Sequence, residues 1–160
     1  MQKMKKLVFL LDVDGVMTTG QFIYSQNGKV FKVFGPHDHD GLKILKDKLT
    51  IKFITADEIG FNITRKRIVE DMGCDLDLVP EADRYNYIFT SYDFENLIYM
   101  GDGYFDVDIL KNSMLGIAPK SARREARAVA DYITESNAGD GAVLDACLMI
   151  NKKFFMNDEV

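Results

Sequence analysis

LVFLLDVDGVMT, residues 7–18, begins as an unbroken apolar run and ends abruptly in two aspartates and a glycine. Consecutive apolar residues without alternation are typical of a strand buried on both faces, as in a parallel sheet between two layers of helices. Residues 51–55 and 97–102 have the same form, and residues 114–118 and 131–134 are weaker versions of it. We therefore predict a parallel sheet whose first strand is residues 7–11.

Helical patterns alternate with these strands. Two of them have apolar residues along one face: Leu42, Leu45 and Leu49 in the first, and Ile68, Val69 and Met72 in the second, which ends at Gly73. Further helices are predicted at residues 106–113, at 121–130 with Ser121 as the N-cap, and at 142–150. This alternation predicts an α/β fold with a doubly wound, Rossmann-like parallel sheet.

One segment interrupts the alternation. Residues 21–25 (QFIYS) and 29–34 (KVFKVF) are rich in β-branched and aromatic residues and flank an Asn27-Gly28 turn signal. We predict a β-hairpin inserted after the first strand, at about residues 20–35. Its aromatic residues fit packing or a subunit interface. Without a repeat, low-complexity tract or linker, the sequence predicts a single domain over residues 1–160.

The composition is that of a water-soluble globular chain. Its 160 residues are 47% hydrophobic and 28% charged, too apolar for disorder, and its net charge of −5 argues against nucleic acid as a partner. Cys74 and Cys147 have no metal-type spacing and are expected to be reduced thiols. No apolar run approaches the roughly 18 residues of a membrane span, and residues 1–6 are too polar for a signal peptide. We expect a cytoplasmic protein.

Polar side chains follow three of the predicted strands. Asp12 and Asp14 follow the first, Thr55 ends the second, and Asp102 ends a later one with Asp106 four residues on. Because parallel strands present their carboxyl ends at one edge of the sheet, these side chains should meet there. Clustered carboxylates repel one another without a cation, and their oxygens suit Mg²⁺.

These stretches resemble the haloacid dehalogenase superfamily. DVDGVMT, residues 12–18, resembles its motif I, Thr55 ends a strand as motif II does, and GDGYFD, residues 101–106, matches the GDxxxD form of motif IV. The order and spacing fit over nearly the whole chain. The resemblance therefore implies a magnesium-dependent phosphatase with the fold predicted above.

The resemblance also implies a role for each residue of these motifs. Asp12 is the expected nucleophile, forming an aspartyl-phosphate, and Asp14 the general acid and base. Asp12, Asp102 and the backbone carbonyl of Asp14 are the expected Mg²⁺ ligands, with Asp106 in support. Thr55 is expected to hydrogen-bond the phosphoryl group.

Two further sets of contacts are implied. The backbone amides after Asp12, including that of Gly15, and Ala56 after motif II are expected to contact the substrate. Motif III usually supplies a lysine, but no lysine lies between Lys66 and Lys111. By position Arg84 is the expected replacement, and a solvated arginine on an early helical turn is the alternative.

The spacing of the motifs resembles one capless group. About 40 residues separate Asp12 from Thr55 and about 30 separate Thr55 from Arg84, too few for a cap domain. The hairpin, the later Asp38 and the Gly-x-Gly-Ala-Val at 139–143 resemble the 3-deoxy-octulosonate 8-phosphate and nonulosonate 9-phosphate phosphatases, which act on acidic sugar phosphates such as lipopolysaccharide precursors. That resemblance implies a homotetramer, with Asp38 and His37 near the mouth of the active site.

Some positions depart from the pattern of this group. Residues 55–57 read Thr-Ala-Asp where similar proteins have Thr-Gly-Arg or Thr-Gly-Glu, and Asp140 stands where Arg or Glu is common. The sugar that is recognised can therefore differ. The string from Pro36 to Asp40 contains two histidines and two aspartates, so a second metal site and a helix-entry turn are alternatives to substrate support. For the basic stretch at residues 120–127, a solvated helix face is the favoured interpretation.

Three other functions compete with this one. A capless phosphatase for another small phosphoester keeps the chemistry and changes the substrate. A non-catalytic tetramerising module related to these phosphatases keeps only the fold. A phospho-receiver domain also uses Asp, Thr and Lys on a similar sheet, but the first-strand DxDG and the late GDxxxD favour the phosphatase.

Overall fold

The computed structural model describes residues 6–156 and is built around a sheet of six parallel strands. These strands are β1 (Val8–Asp12), β4 (Thr50–Thr55), β5 (Asp75–Leu78), β6 (Leu97–Met100), β7 (Leu115–Ala118) and β8 (Tyr132–Ile133), and their order is β5-β4-β1-β6-β7-β8. Residues 1–5, most of the stretch on which the signal-peptide interpretation rests, lie outside the described residues. The apolar strands β1 and β6 occupy the centre, where both faces are covered.

Helices cover both faces of this sheet. They are α1 (Asp38–Leu45), α2 (Phe61–Arg65), α3 (Glu81–Ser91), α4 (Val107–Asn112), α5 (Arg124–Val129) and α6 (Ala142–Phe155), and α2 continues as a π-helical stretch, Lys66–Asp71. One core contains Phe9 and Leu11 of β1 with residues of α1 and α6, and the other contains Leu10 of β1 with residues of α3, α4 and α5. Successive β1 side chains point to opposite cores, as a strand requires. The predicted doubly wound α/β fold is confirmed.

The predicted hairpin is also confirmed. It consists of β2 (Thr18–Ser25) and β3 (Gly28–Phe34), which form their own antiparallel sheet. Gly28 has a φ of +112°, which favours glycine at this turn. Six large apolar side chains of the hairpin are exposed: Phe22, Ile23, Tyr24, Val30, Phe31 and Val33. Between β1 and α3 the chain otherwise holds only α1, α2, the π-helical stretch and two sheet strands, so no cap domain is present there.

Several predicted boundaries differ from the structure. β5 and α3 lie where no clear pattern was evident, because β5 has only four, partly exposed residues and only Arg84 and Ile88 of α3 are buried. Ser121 does not cap a helix: α5 begins at Arg124, and the Ser121 hydroxyl accepts a hydrogen bond from the amide of Ala138 at 2.9 Å. No helix within residues 6–156 is long and apolar enough to cross a membrane.

Candidate active site

The carboxyl ends of three neighbouring strands form one edge of a cavity of about 540 Å³. β1 lies between β4 and β6, which places Asp12, Thr55 and Asp102 side by side at this edge. Ligands of open parallel sheets bind at such edges. Of the residues that the sequence assigned to the site, seven line the cavity: Asp12, Asp14, Thr55, Ala56, Arg84, Asp102 and Asp106.

Arg84 reaches the cavity from the first turn of α3. Because β5 runs parallel to β4, the helix that follows β5 begins at the same edge of the sheet. The guanidinium is buried, with Nη2 3.3 Å from Asp12 Oδ1 and Nη1 3.0 Å from Asp106 Oδ1. One arginine therefore bridges two carboxylates and sets its positive charge directly beside Asp12.

Asp106 is the most fully hydrogen-bonded carboxylate of the site. Its Oδ1 accepts from Arg84 and from the Tyr99 hydroxyl at 2.5 Å, and its Oδ2 accepts from the amides of Asp102 and Gly103 at 3.0 and 2.9 Å. Burial and the neighbouring Asp106 hold the pKa of Tyr99 well above its usual range, so its hydroxyl stays a donor. Asp106 thus fixes the loop that carries Asp102.

Three carboxylates lie close enough together to hold a cation. Ligand oxygens of Asp12, Asp102 and Asp106 all lie within 4.8 Å of one another. Burial, opposed by Arg84 and reinforced by Asp106, raises the pKa of Asp12 to about 7, and burial together with repulsion from Asp12 raises that of Asp102 to about 8. Since Asp106 already accepts four hydrogen bonds, Asp12 and Asp102 have the oxygens best able to bind a divalent ion.

Gly15 packs directly against this acidic cluster. Its φ is +82°, and a Cβ at this position would lie 2.0 Å from the Asp102 carboxylate. The loop after β1 can therefore pass Asp102 only with a glycine here. This close approach explains why the DxDG sequence has a glycine at this position.

A lysine that no sequence motif identifies reaches the site from the hairpin. Lys32 Nζ lies 2.9 Å from Asp14 Oδ2 and 2.7 Å from Thr64 Oγ1, and its side chain is fully buried. Its neighbours Val30, Phe31 and Val33 on the same strand are exposed. A pattern in which the charged residue is buried and the apolar ones are exposed inverts the usual rule, so strand alternation alone gave no signal for it.

Asp57 is paired with two lysines of the hairpin. Its Oδ2 lies 2.6 Å from Lys29 Nζ and 2.8 Å from Lys32 Nζ, and its Oδ1 accepts from the amide of Gly60 at 3.1 Å. Partial burial favours the neutral acid, but the hydrogen bonds from the lysines outweigh it and lower the pKa of Asp57 to about 2. Asp57 therefore lines the cavity as an ionised carboxylate whose charge is balanced by the two lysines.

The Pro36–Asp40 string is not brought to the cavity in the single chain. Asp38 is buried, and its Oδ1 accepts from the amides of Val143 and Leu144 at the start of α6. His37 is exposed, and His39 faces a separate cavity between α1 and the β4–β5 edge. Within residues 6–156 the metal-type cluster is that of the three aspartates, and this string does not join it.

The comparisons with known proteins agree with these motifs. A family model of haloacid dehalogenase-like hydrolases matches residues 84–146. A 3-deoxy-D-manno-octulosonate 8-phosphate phosphatase from Salmonella typhi is 27% identical over 150 residues, which are 88% of this chain and 76% of that protein. The enzyme of the same name from Haemophilus influenzae is 28% identical over 93% of this chain and 85% of its own length.

Solved structures give the same result. The Moraxella catarrhalis 3-deoxy-D-manno-octulosonate 8-phosphate phosphatase, solved with a magnesium ion, a phosphate ion and a KDO molecule, superposes with a TM-score of 0.77 at 27% identity. The matched region covers 91% of this chain and 85% of the Moraxella catarrhalis chain. The cobalt-bound phosphatase of Haemophilus influenzae gives a TM-score of 0.78 at 26% identity, with 91% and 86% covered.

Proposed function

We propose that this chain, which belongs to the haloacid dehalogenase superfamily, hydrolyses the phosphomonoester of an acidic sugar phosphate of the 3-deoxy-octulosonate 8-phosphate or nonulosonate 9-phosphate type. The observation that carries the proposal is the position of Asp12 at the end of the central strand, between Thr55 and Asp102, with the Arg84 guanidinium 3.3 Å away. The relatives named above support the substrate class.

The chemistry proceeds in two displacements. An Asp12 oxygen attacks phosphorus, the bond to the sugar oxygen breaks, and Asp14 gives its proton to that oxygen as the sugar leaves. Asp14 then takes a proton from water, whose oxygen attacks the phosphorus of the aspartyl-phosphate. Phosphate leaves and Asp12 is regenerated. Thr55 donates a hydrogen bond to a phosphoryl oxygen, and Arg84 balances the negative charge of Asp12 and the phosphoryl group.

The acidic cluster fits a magnesium ion. The raised pKa values of Asp12 and Asp102 reflect two buried carboxylates without enough positive charge, and oxygen ligands suit this ion. We assign Asp12, Asp102 and the Asp14 backbone carbonyl as its ligands and Asp106 as their support. Bound Mg²⁺ supplies positive charge to the phosphoryl oxygens.

The substrate contacts differ in how well the geometry supports them. Ala56 lines the cavity, so it remains a candidate for contact with the sugar. Gly15 remains a proposed substrate contact through its backbone amide, and its lack of a side chain also allows the close approach to Asp102. The hydrogen bonds of Asp38 to the start of α6 support a structural role for this residue, with His37 preceding it at the start of α1.

The direct test is magnesium-dependent phosphate release across a panel of sugar phosphates. We expect release from an eight- or nine-carbon acidic sugar phosphate, and its loss when EDTA removes the metal. Release only from other small phosphoesters would keep the mechanism and replace the substrate. No release from any compound by folded, Mg²⁺-loaded protein would favour the non-catalytic module, and a stable phosphoprotein would favour a receiver.

We further propose that the chain forms a homotetramer through the hairpin. Six large apolar side chains are exposed on this one element, and a second copy of the same surface would cover them. Light scattering should give a mass about four times the 18.2 kDa of the chain. Phe31 belongs to this patch and its side chain is 63% exposed, so Phe31→Asp should shift the mass toward that of one chain. Phe89 on α3 is equally exposed, and Phe89→Asp should leave the mass unchanged. A wild-type monomer would contradict the proposal.

A further inference from the structure

We propose that Lys32 is a positioning residue, which holds the Asp14 carboxylate in the orientation that proton transfer requires. This inference rests on the proposed function, because Asp14 acts there as the acid and base. It concerns a residue of the hairpin, an element that the motifs of the family do not include.

The ammonium group of Lys32 has a partner for each of its three hydrogens. Nζ lies 2.9 Å from Asp14 Oδ2, 2.8 Å from Asp57 Oδ2 and 2.7 Å from Thr64 Oγ1, and the side chain has no exposed surface. Three acceptors around one ammonium fix its position. Burying a charged group costs free energy unless it is paired in this way. These three contacts offset that cost and hold the ammonium beside Asp14.

Among residues 6–156, the Asp14 carboxylate has one other hydrogen-bond contact that would orient it. The second contact is the Thr18 hydroxyl, 3.4 Å from Oδ1, which is long for a hydrogen bond between oxygens. The Asp14 side chain is also 19% exposed to the cavity, so packing does not lock it. Lys32 therefore makes the shortest polar contact of this carboxylate, and without it the side chain can turn away from the leaving oxygen.

Lys32 is itself held by Asp57, on the loop after β4. Asp57 accepts from Lys29, Lys32 and the amide of Gly60. A Cβ on Gly60 would lie 2.2 Å from the Asp57 carboxylate and 2.8 Å from Lys32 Cε, so a glycine at this position leaves the space that the ion pair occupies. The unusual Thr-Ala-Asp sequence at residues 55–57 is thereby explained as the counter-charge for the hairpin lysines.

The leaving group of the substrate separates positioning from folding. When the bond from phosphorus to a sugar oxygen breaks, that oxygen needs the proton of Asp14. The aryl compound 2,4-dinitrophenyl phosphate releases 2,4-dinitrophenolate, which leaves without a proton. Misplacing Asp14 should therefore slow the first reaction much more than the second.

The experiment compares Lys32→Met with wild type on both compounds. On the sugar phosphate that wild type hydrolyses we expect kcat to fall about 10²-fold with KM within about threefold, since misplacement by about 1 Å costs this much. The rate of the initial burst of dinitrophenolate, which reports formation of the phosphoenzyme, should fall by less than about tenfold. If wild type does not cleave the aryl compound, the split between kcat and KM decides.

Lys29→Met is the matched control. It removes a buried cation of the same hairpin that pairs with Asp57 but makes no contact with Asp14 among the hydrogen bonds of the described chain. Its ratio of sugar-phosphate rate to burst rate should equal that of wild type, and melting temperatures should show both variants folded. Equal losses on both compounds, the same altered ratio in both variants, or a change confined to KM would overturn the inference. Inactive wild type would overturn the proposed function and this inference with it.

Discussion

Replacing Asp12 with asparagine should reduce phosphate release by at least about 10⁴-fold, because a neutral amide is too weak a nucleophile to attack phosphorus and form the phosphoenzyme. The amide is nearly the same size and fits a position that is 7% exposed, so the fold should persist. The measurement is phosphate release at saturating sugar phosphate and Mg²⁺, with circular dichroism as the control for folding. Residual activity above about 1% of wild type would show that Asp12 is not the nucleophile.

The same variant has a signature in stability that does not depend on activity. The pKa of Asp12 is raised from 3.8 to about 7, so its contribution to stability is complete at low pH and is lost as pH rises toward 7. Without metal, Asp12→Asn should match wild type near pH 3, below the 3.8 of the unfolded carboxyl, where the group is protonated in both states, and melt higher than wild type near pH 8. A lower melting temperature for the variant at pH 8 would contradict this account of the buried carboxylate.

Replacing Arg84 with methionine should impair both stability and catalysis. The change leaves Asp106 without one of its four donors and Asp12 without the adjacent positive charge. Breaking a buried ion pair by removing one partner costs about 3–5 kcal/mol. We expect unfolding at a lower urea concentration and, in protein that remains folded, a kcat reduced by about 10²- to 10³-fold, as for loss of one stabilising donor at a transition state.

Arg84→Lys distinguishes charge from geometry. Lysine keeps the positive charge but has a single nitrogen, and Arg84 uses two nitrogens to reach two different carboxylates. The lysine variant should therefore be intermediate, more active and more stable than Arg84→Met but below wild type. Arg124→Met, on a side chain that is 84% exposed, controls for the loss of an arginine as such. If Arg84→Met matched this control in kcat, Arg84 would be only a structural residue.

The fold followed from local patterns because buried parallel strands have a distinctive sequence. The unbroken apolar run that ends at residue 11 and the mostly apolar segment 51–55 identified strands, and the Asn27-Gly28 turn identified the hairpin. β5 and α3 gave no such signal, because an edge strand is half-exposed and because the buried face of α3 includes Arg84, a charged residue. Periodicity in hydrophobicity cannot reveal an element that buries a charge.

The sequence by itself determined the candidate catalytic aspartates, since Asp12, Asp14 and Asp102 follow directly from strands whose ends must meet at one edge. Only the tertiary structure decided what surrounds them. Lys32 is far from these residues along the chain, and its contact with Asp14 exists because the hairpin folds back over the loop after β4. Such a contact depends on how two elements pack, and packing distances are not written in the spacing of residues along one strand.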